Sequence, residues 1–185
     1  ASVSPYQPDG LWTELSSRQD SGNWTAQVFV QSHGPDLYRR TMYTFWKRTS
    51  PPPQLSTFDA PDRETCTVRR ARTNTPLQAL ILLNDPTYVE AARKLAERML
   101  REGGETSADK ARFAFRLCTA RLPTADEERE LVAAYEAQKT HYAGDPEKAQ
   151  SLLKVGESPA DAALDPAELA AWTIVASVVI PILAP

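Results

Sequence analysis

At 185 residues and 42% apolar content, the chain is long enough for one packed domain, which argues against wholesale disorder. A net charge of −3 gives no overall attraction to nucleic acid or to an anionic membrane. Two cysteines, Cys66 and Cys118, cannot build a disulfide framework, a CxxC pair or a C-x-x-C-H haem attachment; they read as two buried thiols, with a single bridge open to them in an exported protein.

In chain order, the opening ASVSPYQPDG carries no signal-peptide pattern and reads as the interior of something longer, so a fragment of a larger protein is expected. Helices are predicted at 9–18, 37–49, 76–84, 86–102, 107–120, 125–142, 146–155 and 166–180, and WTAQVFVQ at 24–31 alternates as a short extended piece. Thr75-Pro76, Asp85-Pro86, Asp145-Pro146 and Asp165-Pro166 each set a side-chain oxygen at the N-cap and a proline at the first helical position. Thr124 with Glu127 fits a capping box, while Gly103-Gly104 and Gly156 mark stops. Within 37–49, Tyr38, Met42 and Phe45 line one face, flanked by Leu37, Thr41, Tyr43 and Trp46; so wide an apolar arc predicts a helix buried on most sides.

Residues 50–74 contain Pro51-Pro52-Pro53 and little periodicity, the mark of a long irregular connection; Phe58, Cys66 and Val68 argue that it is packed down. Residues 86–102 put Tyr88, Val89, Ala92, Leu95, Ala96, Met99 and Leu100 on one stripe, with Arg93, Lys94, Glu97, Arg98 and Arg101 off it. The apolar run from Leu169 to Leu183 holds Pro181 and falls short of the roughly 20 residues of a membrane span, so a buried core helix is expected and no membrane span. The fold expected is all-α: an irregular array of seven to eight helices in a single domain, 1–185, with one long packed connection at about 50–74.

Charge is unevenly spread. From Asp36 to Arg72 eight basic residues face four acids, a local +4 that leaves −7 for the remainder. The densest part is the candidate polar cluster Asp59, Asp62, Arg63, Glu64, Arg69, Arg70, Arg72 and Asn74. Guanidinium forks bind carboxylates, sulfates and phosphates alike, so the cluster can be an anion-binding surface. It can equally be an internal Arg–Asp lattice that satisfies the backbone of an unhelical segment. Asp59, Asp62 and Glu64 could include an acid/base pair, but so many neighbouring arginines favour permanently ionised carboxylates. His33 and His141 have no ligand spacing around them, so no metal is expected. The chain also lacks G-x-S-x-G, a phosphate loop and a dinucleotide fingerprint, and no cofactor is expected in it. Trp12, Trp46 and Trp172 read as core, with Trp24 in DSGNWTAQ the most exposed by its neighbours.

The stretch YRRTMYTFWKRTSPPPQLSTFDAPDRETCTVRRARTNTPLQALILLNDPTYVEAARKLAERML, with SVSPYQPDGLWTEL before it and GESPADAALDPAELAAWTIVAS after it, closely resembles domain of unknown function 1553, the C-terminal domain of planctomycete exported, cytochrome-c-associated multidomain proteins. The resemblance implies export to the periplasm or beyond, and a haem carried elsewhere in the parent protein. It implies no activity and no catalytic residues. It also implies more domain ahead of SVSPYQP and a different tail from VVIPILAP. The reading that follows is a non-catalytic interaction or scaffolding module whose partners are the neighbouring domains of its parent. The alternative is part of an active or binding site for an acidic or sulfated polysaccharide at 59–72. No nucleic-acid partner is expected.

Overall fold

Most helix starts fall where a short polar side chain precedes proline. In the computed structural model, which describes residues 2–7, 29–47 and 50–180, α1 (Pro53–Thr57), α2 (Pro76–Asn84), α3 (Pro86–Glu102), α6 (Pro146–Leu153) and α7 (Pro166–Val179) all begin on proline. Asp85, Asp145 and Asp165 accept from the backbone N–H groups of Thr87, Lys148 and Glu168, filling donors that no helical carbonyl reaches. Thr106 caps α4 (Ser107–Thr119) and Thr124 caps α5 (Ala125–Gly144), the latter in a full capping box with Glu127. Among the described residues the only extended pairings are two isolated bridges, so the fold is all-α; no helix there is long and apolar enough to cross a membrane. The predicted helix at 9–18, Trp12 and Trp24, and the end of the C-terminal tail lie outside the described residues.

The backbone divides into two compact units, Ala1–Gln78 and Ala79–Pro185, with the division inside α2. In the first unit the helix expected at 37–49 is replaced by two 3-10 turns, Gly34–Tyr38 and Thr41–Tyr43, separated by extended backbone at Arg39 and Arg40. Val3 supplies the physical reason. Its N–H donates to the Tyr43 carbonyl at 2.8 Å and its carbonyl accepts from Phe45 N–H at 2.7 Å, so these groups are spent on a distant segment rather than on a helical ladder. Thr, Tyr, Phe and Trp are also weak helix formers, because their side chains crowd the preceding turn. Burial fails with the helix: Tyr38 and Met42 are 57% and 63% exposed. The short helix α1 interrupts the connection expected to be irregular throughout.

The second unit packs around α7. Its run LAAWTIVASVV has no polar face to leave in water, and Leu169, Ala170, Ala171, Trp172, Val175, Ala176 and Val179 are all buried. Thr173 and Ser177 hide their hydroxyls by donating back to the Leu169 and Ile174 carbonyls. Against this helix lie Ala92, Ala96 and Met99 of α3, Ala114 and Phe115 of α4, and Leu131 and Tyr135 of α5. The Tyr135 and Trp172 rings stack at 4.1 Å and 16°. Small alanines at the contacts let the backbones approach closely, which is how one helix meets several neighbours.

Candidate functional site

Asp59 opens the candidate cluster with a left-handed backbone, φ 58°, a conformation that costs most residues energy and that aspartate tolerates better than most. Its carboxylate accepts from Thr73 N–H at 2.8 Å and from the Thr73 hydroxyl at 2.8 Å. The Thr73 backbone donor, then its hydroxyl, then the Arg70 charge hold the Asp59 carboxyl below its usual range, so it stays ionised. Arg70 donates Nε to the Asp59 carbonyl at 2.9 Å and a terminal nitrogen to the Phe58 carbonyl. The arginine therefore satisfies backbone oxygens of the turn, and the acid satisfies Thr73. The expected Arg–Asp pairing is replaced here by side chain to backbone bonds.

Gln78, which the sequence reading passed over, ties the base of this loop. Only 5% exposed, it donates to the Thr57 carbonyl at 2.9 Å and to the Thr73 hydroxyl at 3.0 Å, while its side-chain carbonyl accepts from Thr75 N–H at 3.0 Å. The Thr75 hydroxyl accepts from Gln78 N–H at 3.3 Å. The pair is a capping box of the Thr-x-x-Gln kind, and that spacing could have been read from the sequence.

The other cluster residues point elsewhere. Asp62 accepts from Glu64 and Thr65 N–H groups at 3.0 and 3.4 Å, closing a local turn. Arg63, itself left-handed at φ 64°, lays its guanidinium over the Trp46 ring, 4.9 Å from the centroid. Glu64, Arg69, Arg72 and Asn74 are exposed. Arg69, Arg72 and Asn74 make no hydrogen bond or ion pair among the described residues. The structure thus brings Asp59, Arg70 and Thr73 together, sets Arg63 on Trp46, and leaves Arg69 and Arg72 to solvent. Cys66 is an exposed free thiol rather than a buried one; Cys118 is free and half-buried, and burial pushes its thiol upward.

The densest buried polar network lies in the second unit, on residues placed off the apolar stripe of α3. Arg93 is 1% exposed and donates to the carbonyls of Leu153, Val155 (2.7 Å) and Ser158. Glu90, 3.8 Å from Arg93, accepts from Ser158 N–H at 2.8 Å and Glu157 N–H at 3.3 Å. Glu97 accepts from Asp161 N–H at 3.2 Å and from Lys94, which also donates to the Pro159 carbonyl; Arg101 pairs with Asp161. One face of α3 thereby clasps the strap between α6 and α7. Most of these polar groups are taken by strap backbone or by one another, which makes them structural, and Arg93 Nε alone among those of the clasp is buried without a hydrogen-bond partner among the described residues.

The family model described as PSD1, protein of unknown function (DUF1553), matches residues 1–135. The chain belongs to this family. The matched residues of this DUF1553 member include the 59–74 loop and α2 to α4, whereas α6, the strap and α7 lie past them. No curated protein and no solved structure matches the chain.

Proposed function

We propose that the chain is a non-catalytic interaction module of a larger exported, haem-carrying protein, and that α2 docks it against a neighbouring domain of that parent. The observation that carries this is the outward face of α2. Leu77, Leu80 and Leu83 recur every third residue and are 56%, 56% and 47% exposed, while Gln78 and Leu82 on the opposite side are buried. Burying three half-exposed leucines is worth on the order of 3 kcal/mol. That is too little for capture of a free partner, since even millimolar affinity takes about 4 kcal/mol. In a tethered domain, whose effective concentration is about millimolar, the same three leucines hold the docked state roughly a seventh of the time by themselves. Asp59 counts against one role in the alternative reading: a carboxylate bound by Thr73 and kept ionised is no general acid. Membership of DUF1553 supports the multidomain setting, and the likeness of the motif to exported cytochrome-associated proteins supports the haem and the export.

Hydrogen exchange tests the reading. In the full-length parent, α2 amides should exchange measurably more slowly than in the 185-residue chain, and Leu80→Asp should erase the difference. Equal rates in both proteins overturn it. Self-association of the 185-residue chain that Leu80→Asp abolishes would assign the face to a second copy instead.

A second reading is favoured by Arg69 and Arg72, which stand exposed and without partners among the described residues: the loop binds an acidic or sulfated polysaccharide without acting on it.

A further inference from the structure

We infer that Arg63, stacked on Trp46, is the anchoring subsite for the carboxylate or sulfate groups of an acidic polysaccharide; the inference rests on the second reading above and moves its centre from the 69–72 arginines to this pair. A guanidinium held over an indole by its charge still has N–H groups to offer an oxyanion. That of Arg63 makes no hydrogen bond or ion pair among the described residues. Its pose is also set in advance. Asp62 clamps the N–H groups of Glu64 and Thr65, fixing the turn from which Arg63 projects, and the ring limits the rotamers of a side chain that otherwise has many. A fork held in this way loses little entropy when an anion arrives.

The same unit carries further groups of this kind, on the two 3-10 turns that precede Trp46 in the chain. Arg39 sits over Tyr43 at 4.1 Å in a second ring-stacked pose, also within 3.9 Å of Asp36. Arg40 is exposed, and Tyr38 offers a ring that is 57% exposed. Rings beside guanidinium forks suit a chain of sugar faces carrying acid groups. Charge decides against nucleic acid. A duplex presents a phosphate about every 1.7 Å, a denser row of charge than the local +4 matches, whereas a saccharide with one acid group per unit asks for no more than that.

The test is a calorimetric titration of the whole chain with heparin and with polygalacturonate, and with a single-stranded DNA oligomer as the competing class. Arg63→Gly is the main variant, because glycine suits the left-handed backbone at this position and the fold is retained. Arg63→Lys keeps the charge and loses the fork. Both are expected to weaken polysaccharide binding roughly tenfold or more, the loss of one charge-assisted pair of hydrogen bonds, with an unchanged melting transition. Wild-type affinity in Arg63→Lys and Arg63→Gly, with binding lost only in Arg69→Ala/Arg72→Ala, overturns the Arg63 subsite and leaves the second reading standing. Binding of neither polysaccharide overturns both. DNA binding as tight as heparin at equal salt overturns the assignment to a saccharide.

Discussion

Replacing Gly156 by alanine tests the clasp between α3 and the strap. Gly156 has φ +87°, and a Cβ built there would lie 2.6 Å from the Glu90 carboxyl carbon and 2.9 Å from its Cβ. Neither partner can yield easily, since Glu90 is 3% exposed and holds two backbone N–H groups of the strap. The left-handed backbone costs alanine about 1–2 kcal/mol. Displacing Glu90 strands buried donors at about 1–3 kcal/mol each. The expected loss is therefore about 3–8 kcal/mol, or roughly 8–20 °C in melting temperature for a chain of this length. Urea titration followed by helical circular dichroism measures it, with midpoint shifts converted through a constant m. Gly144→Ala is the control, because a Cβ there meets nothing within 4 Å, and it should stay within about 0.5 kcal/mol of wild type. In a Glu90→Ala background, Gly156→Ala should cost only the backbone part, a coupling that a double-mutant cycle reads directly. A Gly156→Ala protein within about 0.5 kcal/mol of wild type refutes the interlock.

Glu127 gives a pH-dependent counterpart. Its bidentate contact with Arg121 and the Thr124 N–H lower its carboxyl to about 2. A group depressed in the folded state stabilises above its unfolded value and loses that contribution as pH falls toward the folded one. Wild type should therefore lose its advantage over Glu127→Gln between about pH 5 and pH 2, and high salt should shrink the gap; parallel melting curves across that window count against the contact. Gln78→Ala should open the 59–74 loop, because three bonds at its base are lost. Trypsin should then nick after Arg69 or Arg72 at least several-fold faster while the helical signal is kept, and unchanged cleavage argues against Gln78 as the tie.

Helix ends were legible because their causes are local. Asp85-Pro86 and Asp165-Pro166 carry both the cap and the fixed φ in two adjacent residues, and α3 begins and ends where the sequence places it. Residues 37–49 were not legible as turns, because the pairing that takes their backbone groups comes from Val3, some forty residues away. Within 59–72 the bonding was not legible: Arg70 and Asp59 have opposite charges, yet backbone oxygens and Thr73 take their hydrogen bonds. Arg93 could not be read as buried at all. Its partners are carbonyls 60 to 65 residues later, and carbonyls leave no trace in a residue pattern.

The central place of α7 has a consequence for biosynthesis. The helix that fills the middle of the second unit is translated 64 residues after α3 ends, a delay of roughly 3–13 s at ordinary elongation rates. Until it emerges from the ribosome, Ala92, Ala96, Met99, Phe115 and Leu131 have no central partner, and their faces stay wetted. The nascent chain thus passes through an interval in which a chaperone can hold it, and collapse of this unit waits for its last-made helix.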